Sequence, residues 1–269
     1  MITGAIVNTP LGMLAQGLRD RLSLYCAVGG SLESLGTMAN DSIARHLLER
    51  LCADGLTFLD VGAHIGSVID GVRRKSRPGQ IVAFEAIPAK VDALRRRFPQ
   101  TVVHSTAVGD ASGEISFFID EKRSGYSSLD PVLARRSPSV REIVVPISTL
   151  DSLVPPTGVD LIKIDVEGAE LGVLRGAEAI FAASRPTVMF ESGAEEMEPF
   201  PKAAMWDWFD THDYCVVQPN RLAHNDDGMG RETFLESHLY PRRTTNYFGV
   251  ARERRQEMRD RARRILGLR

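Results

Sequence analysis

FLDVGAHIGS, residues Phe58 to Ser67, is an apolar run closed by an acid, then Gly62 and Gly66, then the start of a helical pattern. That order reads as strand, tight turn and helix, the cradle that α/β folds use for a nucleotide. The dinucleotide fingerprint G-x-G-x-x-G needs a second glycine so that backbone can approach a pyrophosphate, and the residues after Gly62 are Ala63 and His64. Asp60, immediately before the turn, also puts negative charge where phosphates would lie. The turn therefore suits a ligand with a cationic or polar end and no phosphate.

S-adenosylmethionine has that character, with an amino acid tail, a sulfonium and a ribose. Glu85 supports it, because this acid closes the next predicted strand about twenty residues after Gly66, where a carboxylate accepts both ribose hydroxyl hydrogens. Plainer roles exist for both acids: Asp60 as the cap of the following helix and Glu85 as a solvated loop residue.

Outward from the turn, from about residue 57, short apolar runs alternate with helical stretches, the pattern of a parallel sheet covered on both faces. The predicted strands are TFLDV, QIVAFEA, VVHSTAV, DLIKIDV, TVMFES, YCVVQ and NYFGVA. Ahead of them NDSIARHLLERLCADG reads as a helix capped by Asn40 or Asp41 and stopped at Gly55. Between the third and fourth strands, an insertion at about 113–150 reads as two extended segments around a polar loop. The organisation expected is an N-terminal helical segment over 1–55, a core domain over 56–251 and a basic C-terminal helix over 252–269.

LIKIDVEGAE, Leu161 to Glu170, breaks the rule that a strand buried on both faces is apolar throughout. Alternation puts Lys163 and Asp165 on one side, and a buried lysine needs an acid close by. An ion pair of Lys163 with Asp165 or Glu85 that only holds the strand end is the structural explanation. The functional one notes that Asp60, Glu85, Asp165 and Glu191 all fall at carboxyl ends of predicted strands, where parallel sheets bind ligands. Charge crowding there raises one carboxyl pKa and makes a general base.

The chain has 269 residues, 43% hydrophobic, enough for one full core, and its net charge of −2 gives no support for a nucleic-acid partner held by a basic surface. Cys26, Cys52 and Cys215 are odd in number and widely spaced, which points away from disulfides and zinc and toward a reducing cytoplasmic setting. No run reaches the roughly twenty apolar residues of a membrane span, and no basic region precedes the first apolar residues as in a signal peptide. The C-terminal run carries eight arginines against three acids, with Met258, Ala262 and Ile265 on a narrow stripe. A solvated helix docked by that stripe is preferred over peripheral contact with an anionic membrane. The sequence sets no oligomeric state.

Taken together, FLDVGAHIGS, VAFEAIP, HSTAVGDASGEISF, GYSSL, PISTLDSL and LIKIDVEGAELGVLRGAE resemble, in this order, the FkbM family of S-adenosylmethionine-dependent methyltransferases over about Thr57 to Glu191. The family turn commonly reads D-V-G-A-N-I-G, and His64 stands where the asparagine would be. The resemblance implies an α/β fold of the class I methyltransferase type: a Rossmann-like, doubly wound, mostly parallel sheet of seven strands with a reversed last hairpin. It also implies methyl transfer to a hydroxyl of a sugar, glycolipid or polyketide-type acceptor. The cofactor-binding residues expected are Asp60, Gly62, Ala63, His64, Gly66, Glu85, Ala86, Thr106, Ala107 and Asp165. Asp165 is the first candidate for the base, followed by Glu191 and His64, with Lys163 beside them. Asp165 and Glu167 are the pair a magnesium ion would take, though such spacing is common and sets no firm metal site. No D/N-P-P-Y/F stretch follows the fourth strand, which counts against nucleic acid; the partner the resemblance implies is a small-molecule or glycoconjugate acceptor. The competing readings are a non-catalytic or regulatory S-adenosylmethionine-binding module and, below it, a nicotinamide-dependent oxidoreductase.

Overall fold

A computed structural model of the chain describes residues 32–53, 55–120, 140–166, 168–193 and 200–268. In chain order the elements are α1 (Leu32–Leu51), β1 (Thr57–Val61), α2 (Ser67–Lys75), β2 (Gln80–Glu85), α3 (Pro88–Arg97), β3 (Val102–Ser105), β4 (Ala107–Val108), β5 (Gly113–Asp120) and β6 (Val140–Ser148). There follow α4 (Leu150–Leu153), β7 (Leu161–Ile164), α5 (Glu170–Arg175), α6 (Glu178–Ser184), β8 (Thr187–Glu191), α7 (Lys202–Thr211), β9 (Tyr214–Val217), α8 (Arg231–Glu236), β10 (Asn246–Ala251) and α9 (Arg255–Leu266).

Seven strands form one sheet in the order β3-β2-β1-β7-β8-β10-β9. All neighbours are parallel except β10, which runs antiparallel to both β8 and β9. This is the doubly wound sheet with a reversed last hairpin. The order reverses between β1 and β7, so the crevice outside their carboxyl ends is the place where such a fold binds a ligand. Alternation along β1 sends Phe58 to one face, with α1, α2 and α9, and Leu59 to the other, with α5 to α8. Each large apolar side chain buried this way contributes roughly 1.5 to 3 kcal/mol.

Two predicted elements come out differently. VVHSTAV divides at Thr106 into β3, on the edge of the main sheet, and β4, which pairs with β6 in a second sheet of order β4-β6-β5. Thr106 makes the transfer: its N–H donates to the Glu85 carbonyl at 3.1 Å and its hydroxyl to the Pro146 carbonyl at 3.0 Å. The insertion is thus a β5–β6 hairpin paired from Gly113 to Asp120 against Val140 to Ile147, and the polar loop with GYSSL lies outside the described residues.

Helix α1 begins by Leu32, so Asn40 and Asp41 are interior residues and cap nothing. Their polar groups are taken by the segment that leads into β10. Asn40 Nδ2 donates to the Arg243 carbonyl at 2.8 Å, and the Asp41 carboxylate accepts from the Thr245 N–H at 3.0 Å and the Thr244 hydroxyl at 2.8 Å. Tertiary partners outweigh the cap preference here. The described part of the N-terminal segment and the C-terminal helix share one core cluster with the sheet. Met258 and Ala262 are buried there with Ile265 packed against them, so the stripe that a membrane surface would use is spent inside the molecule. Among the described residues no helix is long and apolar enough to cross a membrane. Cys52 and Cys215 are buried free thiols.

Candidate active site

The turn after β1 uses its backbone donors internally. The N–H groups of Gly62 and Ala63 both reach the Phe84 carbonyl at 3.0 Å, and that of His64 reaches Glu85 Oε2 at 2.8 Å. A pyrophosphate cradle requires such donors to face the ligand, so this turn is not one. Gly62 has φ +78, and a Cβ there would lie 1.9 Å from the Asp165 carbonyl oxygen, so only glycine lets β1 and β7 end side by side. His64 has φ 50, a left-handed conformation that asparagine and histidine tolerate better than most residues. The backbone demand thus accounts for the residue types accepted there.

Glu85 ties this turn to the loop after β2, since its other oxygen accepts from the Ile87 N–H at 2.9 Å. Burial raises its pKa, with Lys90 and the two N–H groups pulling it back. Each carboxylate oxygen keeps a second lone-pair direction for a ligand hydroxyl.

Register places Asp60 opposite Lys163. The Lys163 ammonium donates to the Gly62 carbonyl at 2.7 Å and meets Asp165 Oδ2 at 3.1 Å and Asp60 Oδ1 at 3.4 Å. Burial alone would lower the pKa of this lysine, but Asp165 and Asp60 reverse the shift and hold it well above the usual lysine range. The Asp60 side chain is 0% exposed, neither oxygen has a hydrogen-bond partner, and burial pushes its pKa up against the pull of Lys163. The Asp165 side chain is 39% exposed. Desolvation raises its pKa, but Lys163 outweighs that and holds it below the usual carboxylate range, the reverse of the raised value that charge crowding at the rim predicts for the base. Lys163 thus favours charge on Asp165.

A cavity of about 320 Å³ opens at this crevice, within the usual range of small-molecule sites. Its wall includes Gly62, Ala63, His64, Glu85, Ala86, Thr106, Ala107, Lys163, Asp165 and Glu191. Two expected residues lie behind it. Asp60 faces Lys163 from inside the sheet, because it precedes the strand end by one residue. Gly66 serves helix packing, since a Cβ there would lie 2.4 Å from Phe98 Cε2 and 2.7 Å from Leu94 Cδ2. His104 stacks on Phe84, with ring centroids 5.0 Å apart. Trp208, Phe209 and Tyr214 are core residues, with Trp206 packed against them. Glu167 lies outside the described residues, among which no group of three or more His, Cys, Asp or Glu side chains could hold a metal ion.

Sequence reasoning missed Lys90 and Phe117 on the wall. Phe117 had a signal in the alternation of GEISFFID, but only the hairpin's docking points it at the cavity.

A family model described as the methyltransferase FkbM domain matches residues 60–216, more than half of the chain. The chain belongs to the FkbM methyltransferase family. It is an S-adenosylmethionine-dependent methyltransferase. This FkbM methyltransferase is 26% identical over 190 residues to methyltransferase 1 of Beauveria bassiana, covering 60% of this chain and 74% of that protein. Among solved structures it is similar to methyltransferase FkbM from Methylobacillus flagellatus, with TM-score 0.47 and 15% identity over 74% of this chain and 44% of that one. The alignment thus spans less than half of that protein. It is also similar to magnesium protoporphyrin IX methyltransferase from Synechocystis, with TM-score 0.40 and 8% identity over 79% and 77% of the two chains. The cavity suits the cofactor the family implies, because three carboxylates line it and the first three N–H groups of its glycine turn are already bonded.

Proposed function

We propose that this FkbM methyltransferase transfers a methyl group to a hydroxyl of a sugar, glycolipid or polyketide-type acceptor. The observation that carries the reading is the Asp165 carboxylate on the cavity wall, which it shares with Glu191, held 3.1 Å from the buried Lys163 ammonium. Bound S-adenosylmethionine supplies a methyl group already activated on a sulfonium. The protein's task is therefore alignment and proton removal. Glu85 accepts the ribose hydroxyls on its remaining lone pairs, and Gly62, Ala63 and His64 bound the cofactor from the turn side. Lys163 keeps Asp165 ionised and fixes its direction. Asp165 takes the acceptor proton, with Glu191 beside it on the cavity wall. A carboxylate held below its ordinary range is a weak base, which suffices because a hydroxyl turns strongly acidic as its oxygen becomes alkylated.

Turnover with methyl-labelled S-adenosylmethionine and a panel of glycosides and hydroxylated macrolides tests this. The expected product carries the label on oxygen. Transfer to nitrogen or carbon overturns the hydroxyl assignment, and cofactor binding without transfer to any acceptor favours a binding module. The same assay with EDTA examines magnesium, which the proposal does not need: a rate lost on chelation would put a metal on the carboxyl pair.

A further inference from the structure

Directly behind Glu191 lies a buried polar cluster that the reaction as described does not use. Ser192 follows the last residue of β8, Lys202 opens α7 and His238 follows α8, and their exposures are 1%, 2% and 8%. Lys202 Nζ donates to Ser192 Oγ at 3.2 Å, and His238 Nε2 lies 2.9 Å from the same oxygen. His238 Nδ1 lies 2.7 Å from the Phe234 carbonyl, which only accepts, so Nδ1 carries the ring proton. Burial, with Lys202 adding to it, pushes His238 down to about 4, which leaves the ring neutral and Nε2 bare. The Ser192 hydroxyl then donates to Nε2 and accepts from Lys202. Every hydrogen bond in the chain Lys202 to Ser192 to His238 to Phe234 has a fixed direction.

The pairing of serine with a carbonyl-oriented histidine has the form of an activated nucleophile. Burial of Ser192 at 1% exposure denies it a substrate. Its main chain is fixed as well, because the Ser192 N–H donates to the Thr245 carbonyl at 2.8 Å. Asp41 holds Thr245 and Asn246 from α1, and Asn246 is the register partner of Glu191. The His238 ring stacks on Tyr247, with centroids 5.3 Å apart. The residue after Glu191 is thus anchored through both backbone and side chain, where a strand end would otherwise fray.

We propose that Lys202, Ser192 and His238 form a positioning network that holds Glu191, at the end of β8, in place on the cavity wall it shares with Asp165. Satisfied networks of this kind are rigid in a low-dielectric interior, and small displacements of a reacting group cost large factors in rate. The inference rests on the reading of Glu191 as part of the methyl-transfer site.

The test uses the full chain with S-adenosylmethionine labelled with carbon-13 on the sulfonium methyl, read by NMR, with a melting curve for every variant. Glu191→Gln should move the bound methyl resonance. Ser192→Ala and His238→Leu should move it in the same direction while the cofactor dissociation constant stays within about threefold of the parent. His238→Gln, whose amide oxygen can accept the Ser192 proton, should return it toward the parent position. A resonance that moves in Glu191→Gln and stays at the parent position in Ser192→Ala and His238→Leu overturns the network alone. One unmoved by Glu191→Gln overturns the reading beneath it. Equal shifts in all four variants, His238→Gln included, would show general loosening of the strand end and overturn positioning through this hydrogen-bond chain.

Discussion

At the end of β7 the buried cation Lys163 is held by two carboxylates and a carbonyl. At the end of β8 the buried cation Lys202 meets a serine hydroxyl whose proton is committed to a neutral imidazole. Both ends face the same crevice, and they keep their order by different means. The first depends on counting charges, so removing one acid is tolerable while removing the lysine strands an acid. The second depends on the direction of hydrogen bonds, so adding a proton to His238 breaks it.

The sharpest separation of chemistry from architecture is Asp165→Asn, which should lower kcat by roughly two to four orders of magnitude with cofactor affinity near the parent value. Lys163 would keep Asp60 and the Gly62 carbonyl, so the melting temperature should change little. A normal rate in single-turnover assays would move the base to Glu191 or His64. Next in size, Lys163→Met leaves the Asp60 carboxylate buried and without a partner, and should cost about 3 to 5 kcal/mol in denaturant unfolding. Adding Asp60→Asn to that variant should recover part of the loss; no recovery would mean that packing, and not charge, explains it.

The β8 end should respond to acid. His238 titrates at about 4 in the folded chain against 6.5 as an ordinary histidine, so between those values the unfolded chain binds the extra proton. Its contribution is full above pH 6.5 and is lost as pH falls toward 4, about 3 kcal/mol in all at roughly 1.4 kcal/mol per unit. Unfolding free energies of the parent and His238→Gln, compared across that window, should converge as the pH drops. Parallel curves would refute the neutral-ring assignment. Smallest is Glu85→Gln: its amide has one oxygen for two backbone donors, and S-adenosylmethionine binding should weaken by about 1 to 3 kcal/mol in calorimetry. An unchanged affinity would leave Glu85 a loop tie only.

Much of the β7 end was legible in the sequence, because Lys163 and Asp165 in an otherwise apolar strand violate a local pattern that anyone can count. The β8 end was not. Ser192 is separated from Lys202 by 10 residues and from His238 by 46, and each alone looks like an ordinary polar residue. His238 in particular carried no spacing that distinguished it from the other histidines.

By itself the sequence determined the strand, turn and helix around Gly62, the parallel sheet, and the acids at its rim, since periodicity and turn chemistry act over a few residues. Only the tertiary structure decided which of those acids reach the cavity. Lys163 and Asp165 share one face by alternation, but the register of β1 against β7 brings Asp60 to that face, sinks it beneath Lys163 and leaves Asp165 39% exposed. It likewise decided that VVHSTAV serves two sheets, that Asp41 clamps the entry to β10, and that Gly66 makes room for Phe98. Each of these depends on which distant segment arrives beside the residue, and side-chain partners chosen across the fold leave no trace in local spacing.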